Sequence, residues 1–443
     1  MIANYPKKHY NCLAVEHDIA ELSYPLSFRR EDCVSLGTHL LHRHNVNLVG
    51  MKRVGISNFL RFFLYRPDIV SEYISKDEKH LFILIDLNDL IEREVYPFWV
   101  LTFKRIIDTI ERSDLPGVDK ERLDDLFSDA IQSQDKFLLI DGVRKALITI
   151  LDTGVSPTLF FLRFDRIKDV IDRQFFDNLQ GLKDATHQKL SFVFTGYQSL
   201  DKLAPQVFTK ADLSVFMHTQ FVKPGKSEDM VSIANQFKTK YGLELERQTI
   251  TTLCNLSGGH VQYLQLGLIL FHEGNENNLE NLRETLLGDE RIQLLSEELW
   301  EGLGKSEQEV LLSVVEGKQI SDEEKQKTQY LWDIGMVKEK NDIFSPLYLT
   351  YLLEIQTNGN IQQANVHFSK KEHMLFKILE EHRDEICERE DIVEYVWPEY
   401  SEYGVSDWAI DRLVARVRQK LKQQESTDEI ITIRTRGYKL SSQ

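Results

Sequence analysis

The chain has 443 residues, a net charge of −16, 42% hydrophobic and 28% charged residues, the make-up of an ordinary globular protein with about two to four domains. Cys12, Cys33, Cys254 and Cys387 are scattered with no Cys-x-x-Cys pair, so a disulfide framework or a zinc site is not expected and no metal is called for. No apolar run approaches the ~18 residues of a membrane span, Met1–Tyr10 lacks the apolar stretch of a secretory leader, and the expected compartment is the cytoplasm.

Residues 1–24 read as a lead-in. Residues 25–230 alternate apolar runs with amphipathic helices, which predicts an α/β layered domain. Its strand candidates are Val46–Val49, Leu81–Asp86, Leu159–Leu162 and Leu190–Phe194. The first strand leads into Gly50-Met51-Lys52-Arg53-Val54-Gly55-Ile56-Ser57. A phosphate loop needs Gly, four residues, Gly, Lys, then Ser or Thr. Gly50, Gly55 and Ser57 fit, and Ile56 stands at the lysine position. Such a loop still bends its N–H groups toward an anion, but it lacks the ammonium that offsets charge on the outer phosphates. Lys52 and Arg53 are the candidates to replace it.

The strand Leu159–Leu162 runs into Arg163-Phe164-Asp165-Arg166, where a nucleotide-hydrolysing site requires acids for magnesium and water. In one register Arg163 and Phe164 take the acidic positions. In the other Asp165 holds magnesium, Arg163 falls inside a buried strand, and Arg166 replaces the second acid. Neither supplies a water-activating carboxylate, so no catalytic residue is assigned. Thr195 follows the fourth strand as a polar strand end.

Residues 231–295 read as helical and contain Ser257-Gly258-Gly259-His260-Val261. Residues 296–355 read as a compact helical unit ending in a short hairpin. Residues 356–366 are polar and aperiodic, as a linker is. In 367–443, Ala409, Ile410, Leu413, Val414, Val417 and Leu421 recur at helical spacing over Ser406–Lys422. Arg412, Arg416, Arg418, Lys420 and Lys422 lie mostly off that stripe, and against Asp407 and Asp411 they leave the segment at +3. A strand follows, with Ile431, Ile433 and Thr435 on one face and Thr432 and Arg434 on the other. Gly437 then permits a tight bend before Tyr438 and Leu440 return to the core.

Two resemblances follow from these residues. The region 25–355 resembles STAND-type, Orc1/Cdc6-like AAA+ ATPases. The likeness rests on Phe28-Arg29-Arg30-Glu31, where Arg29 replaces the usual glycine, on the altered phosphate loop, on Thr195 at a sensor position, and on Gly258-Gly259-His260, where Val261 replaces the usual proline. It also rests on Ser296–Leu353, which resembles the winged helix that follows the lid. The segment 367–443 resembles the OmpR/PhoB-type winged-helix DNA-binding domain, through Trp397, the run Asp407–Leu421, and Thr432, Arg434, Gly437 and Tyr438. Trp408 and Leu413 depart from the residues usual there.

These resemblances imply a multidomain α/β plus α+β chain: a P-loop NTPase-like domain with a helical lid, an internal winged helix and a C-terminal winged helix-turn-helix. They imply DNA contacts from Trp408, Arg412, Arg416, Arg418, Lys420, Thr432, Arg434 and Arg436. Gly50, Lys52, Arg53, Gly55, Ser57, Asp165 and Thr195 are the candidate nucleotide-binding residues, for ATP or ADP held without turnover. The partners expected are double-stranded DNA and another protein, with a dimer on DNA and no membrane. Three functions stay open: a DNA-binding regulator with a catalytically silent ATPase-like module, an atypical NTPase that remodels DNA or a partner in a defence or mobile-element system, and a protein-interaction adaptor.

Overall fold

The computed structural model describes residues 19–75, 78–113, 115–209, 216–273, 282–358, 368, 370–397, 407–424, 426–433 and 436–442. The chain divides into two compact units, Met1–Gly288 with Leu295–Thr350, and Asp289–Leu294 with Tyr351–Gln443.

The first unit is built on a parallel sheet of β1 (Val46–Gly50), β2 (Lys79–Asp86), β3 (Val155–Leu162), β4 (Ser191–Gly196) and β5 (His218–Val222), in the order β2-β3-β4-β1-β5. Parallel strands covered on both faces read as continuous apolar runs. That is why Leu81–Ile85 and Leu159–Leu162 stand out in the sequence, and every residue of β1 is buried. The strand β5 has no such run. It is an edge strand with a half-exposed start, and His218, Thr219 and Gln220 hide it from a search for apolar segments.

Because all five strands point the same way, Gly50, Asp86, Leu162, Gly196 and Val222 end at one rim of the sheet, where ligands of open α/β sheets bind. Helix α1 (Arg30–Leu41) enters β1, and helix α2 (Ile56–Leu64) leaves the loop after it. Beyond β5 the unit is helical, with Ser227–Tyr241, Arg247–Ser257 and Val261–Glu273.

The hairpin expected to close residues 296–355 is a single bridge, Val337 with Ile343, and a further helix, Pro346–Asn358, follows it. Leu347, Tyr348 and Leu352 are buried, so this stretch has a core side that a terminal hairpin would lack. The same helix takes in Gln356, Thr357 and Asn358, which were expected in the linker; the rest of that linker lies outside the described residues.

In the second unit, helices Lys370–Glu381, Arg389–Val396 and Asp407–Gln423 pack on a small antiparallel sheet in the order β6-β8-β7. Its strands are β6 (Cys387–Glu388), β7 (Asp428–Ile433) and β8 (Gly437–Ser442). The predicted stripe Ala409, Ile410, Leu413, Val414, Val417 and Leu421 is buried throughout. Trp397, Tyr438 and Leu440 are buried with it. In strand β7 Ile430 is buried while Ile431 and Thr432 are both exposed, so burial does not alternate along it as expected.

Gly437 is not needed for a left-handed turn. It pairs with Glu388 in the ladder, and a Cβ there would lie 1.9 Å from the Cys387 carbonyl oxygen. Gly437→Ala therefore forces β8 away from β6. Overpacking of this kind costs about 1–3 kcal/mol, and urea unfolding of the variant should show at least that loss.

Candidate nucleotide loop and nucleic-acid face

The loop between β1 and α2 has the backbone its glycines imply. Gly55 has φ 110°, and a Cβ there would lie 2.5 Å from Cγ2 of Val261, so only glycine satisfies both the angle and the space. A Cβ on Gly50 would meet the Val222 carbonyl oxygen at 2.8 Å and Cδ1 of Ile56 at 3.3 Å. The side chain at the lysine position is thus an aliphatic group folded back against the strand end. Ser57 is exposed in the first turn of α2.

The loop is gripped through its carbonyl oxygens. His260 Nε2–H donates to the Lys52 carbonyl at 2.9 Å, and the Tyr263 N–H donates to Nδ1 at 3.4 Å, which is the pattern of a neutral ring. Burial pulls the fully enclosed His260 down to about 4, against the hydrogen bond to Lys52. Arg29 Nη2 donates to the Val54 carbonyl at 3.3 Å. The Gly258-Gly259 pair seats this grip: a Cβ on Gly258 would lie 2.1 Å from the Phe344 carbonyl oxygen, and one on Gly259 2.3 Å from that of Gly225. Both glycines also have positive φ, 58° and 88°.

Arg29 was read only as a departure from a motif, and the structure gives it a larger part. Its φ is 49°, an angle that suits glycine. Its own N–H donates to Asp229 at 2.8 Å, and its guanidinium reaches Asp32 at 3.2 Å and the Lys223 carbonyl at 2.6 Å.

The two candidate replacement cations diverge. Arg53 bonds Glu298 at 2.8 Å and is held by that carboxylate. The Lys52 ammonium lies over the Tyr197 ring, 4.9 Å from its centre, on the side of Asp165. Burial raises the Asp165 carboxyl above its ordinary value, while Lys52, Arg166 and Arg163 pull the other way.

Strand β3 ends at Leu162, so the register that places Arg163 inside a buried strand is not realised. Arg163 turns left-handed (φ 57°), and its N–H donates to Thr195 Oγ1 at 2.9 Å. Thr195 therefore caps the neighbouring strand end. The Arg163 side chain pairs with Asp86 at the end of β2, and Arg166 donates to Asn88 at 2.5 Å. Asp86 carried no role in the sequence reading; only its place at a strand terminus hinted at one.

On the basic helix, geometry separates the cations. With about 100° per residue, Arg412 lies on the side away from the buried stripe, near exposed Asp411, Ala415 and Gln419, Arg416 and Arg418 fall on the stripe's two flanks, and Lys420 lies within its sector. Arg418 donates to the Ile430 carbonyl at 2.8 Å and to Thr432 Oγ1 at 2.7 Å. Lys420 pairs with buried Glu372 at 2.6 Å. Thr432 and these two cations thus fasten the helix to the hairpin and to the first helix of the unit. Asp411 is likewise held by Arg389 at 2.5 Å and by the Tyr438 hydroxyl. Arg412 and Arg416 are half-buried; burial lowers the Arg416 guanidinium from its ordinary value, and Glu290 opposes that shift. Arg436 is exposed and lies 3.3 Å from Glu388. Arg434 and the Trp408 side chain lie outside the described residues.

A cavity of about 310 Å³ is lined by Lys202, His218, Phe221 and Tyr330 among others, and by none of the candidate loop residues. Among the described residues no helix is long and apolar enough to cross a membrane.

Residues 362–440 match the family of the C-terminal domain of transcriptional regulatory proteins, so this part of the chain is an OmpR/PhoB-type domain. No curated protein matches the chain. Similar solved structures include a Walker-type ATPase of Pyrococcus abyssi, at 17% identity and TM-score 0.43, over 76% of this chain and 100% of that one. The ADP form of the Aeropyrum pernix ORC2 protein is 14% identical at TM-score 0.42, over 75% and 86% of the two chains. The Aeropyrum pernix ORC1 protein in complex with DNA is 12% identical at TM-score 0.39, over 94% and 88%.

Two outcomes follow from the loop. Arg29→Ala leaves Asp32 without its buried partner and should cost about 3–5 kcal/mol in chemical unfolding; Arg29→Gly, which relieves the left-handed backbone, should be milder by about 1 kcal/mol. His260 titrates near 4 when folded and near 6.5 otherwise, so the unfolded chain takes up its proton first. Stability must then fall as pH drops from 6.5 toward 4, by about 2 kcal/mol at pH 5. His80, also held near 4 by burial and Arg43, adds a loss of the same sign. Unfolding at pH 7.5 and pH 5 should show a smaller difference in His260→Gln than in the unaltered protein.

Proposed function

We propose that this protein is a DNA-binding transcriptional regulator whose ATPase-like module senses or scaffolds without turning nucleotide over. The observation that carries the reading is the C-terminal domain, in which a buried stripe fixes one side of the helix Asp407–Gln423 and leaves Arg412 and Arg416 off that stripe, both half-buried. A helix of this kind reads the major groove in winged helix-turn-helix proteins. Arg412 and Arg416 are assigned to the groove, and Arg434 and Arg436 in the wing to phosphates. Arg418, Lys420 and Thr432 act as positioning residues, because each already holds the helix in place.

The silent module is supported by Ile56 at the lysine position and by basic side chains after β3 that are engaged with Asp86 and Asn88. ATP or ADP held by backbone N–H groups would bias its shape without being consumed. A protein partner that docks on the module, and a dimer on paired half-sites, complete the proposal.

A fluorescence anisotropy titration of duplex DNA at two salt concentrations, with phosphate release followed alongside, tests it. Binding should be salt-sensitive, and Arg412→Ala with Arg416→Ala should weaken it at least tenfold and lower the salt slope by roughly 0.9 per lost phosphate contact. Arg418→Ala should instead lower stability. Phosphate release that disappears in Lys52→Ala would sink the silent-module reading in favour of an atypical NTPase.

A further inference from the structure

The segment His39-Leu40-Leu41-His42-Arg43-His44 joins α1 to β1, and His218 opens β5. Neither takes part in the function proposed above. The fold brings them together at the rim of the sheet opposite the nucleotide loop. Val46 of β1 pairs with His218 of β5, and the His218 N–H donates to the Asn45 carbonyl at 2.9 Å. His39 arrives from the last turn of α1.

Three imidazoles converge there. The Nδ1 atoms of His39 and His44 are 3.2 Å apart. The His218 ring stacks on His39 with centres 4.6 Å apart, and lies 4.4 Å from that of His44. One ring nitrogen from each of the three lies within 4.8 Å of the others. Two nitrogens bound to a tetrahedral zinc at about 2.0–2.1 Å are themselves separated by roughly 3.3 Å. The His39–His44 spacing already meets that figure, and exposed His218 needs only a small side-chain movement to join.

We propose that His39, His44 and His218 form a binding site for a divalent late first-row transition ion, zinc foremost, with its fourth position open to water. All-imidazole donors suit zinc, nickel and copper rather than magnesium or calcium. His218 also lines the 310 Å³ cavity, which supplies an approach for the ion. Once bound, the ion would staple the end of α1 to the start of β5. These elements carry Arg29 at one end and lead to Lys223 at the other, so the staple would stiffen the frame around the loop. The competing reading is a plain N–H···N bond between His39 and His44, with no ion.

The test uses the full chain without an affinity tag, stripped with a chelator and titrated with Co²⁺ as a visible probe. One equivalent should give the d–d absorption of a tetrahedral site, and Zn²⁺ should abolish it. His39→Ala, His44→Ala and His218→Ala should each weaken Co²⁺ binding at least tenfold, and His272→Ala, outside the cluster, should not. Zn²⁺ should raise the melting temperature of the unaltered protein and leave that of His218→Ala unmoved. His218 is the exposed member, so His218→Gln serves if a more buried substitution fails to fold. Co²⁺ binding that is absent, or equally strong in His218→Gln, would overturn the site.

Discussion

One buried guanidinium holds the first unit together around the loop between β1 and α2. Arg29 is 6% exposed, and removing such a charge from water costs several kcal/mol unless it is fully bonded. It is bonded to a carboxylate and two backbone carbonyls, each from a different segment: Asp32 in α1, Lys223 after β5 and Val54 in the loop. Its backbone N–H adds Asp229, at the start of the helix Ser227–Tyr241. The residue also adopts a left-handed conformation that disfavours any side chain by roughly 1–2 kcal/mol. Glycine would remove that strain and lose every side-chain bond, so the arginine is retained for what it ties together.

The same logic separates architecture from chemistry in the loop. Its glycines answer to space and angle, Gly50 against Val222 and Gly55 against Val261, and neither requirement involves a phosphate. A lysine at position 56 would answer only to a phosphate. Ile56 meets Gly50 and leaves the loop's frame in place, while His260 and Arg29 hold its carbonyls from outside. A phosphate-loop backbone in a structure is accordingly evidence about folding, and the side chain at its lysine position is evidence about turnover.

The buried parallel strands and the stripe of the basic helix were legible because burial on one or both faces writes a pattern into adjacent residues. Strand β5 was not, since an edge strand with a polar start leaves no apolar run. The candidate site was legible as a set of positions and much less as a set of roles. Arg163, Thr195 and Asp86 meet only because β2, β3 and β4 lie side by side, a proximity with no local signature. The histidine cluster escaped for the same reason: His39 and His44 are near in sequence, but His218 reaches them only once β5 pairs with β1.

The basic helix shows why a count of charges overstates a binding face. Five cations make the segment basic, yet Arg418 and Lys420 are bonded to Ile430, Thr432 and Glu372 within the domain. A cation bonded to a nearly buried carboxylate such as Glu372, 3% exposed, cannot turn to a phosphate without leaving that carboxylate uncompensated. What divides the set is the partner each cation meets. Arg418, on one flank of the stripe, reaches the hairpin and Lys420 the neighbouring helix, while half-buried Arg416 lies on the other flank and Arg412 on the side away from the stripe, the side a groove-reading face requires. The fold thus uses two of its positive charges to aim the helix on which the others are carried.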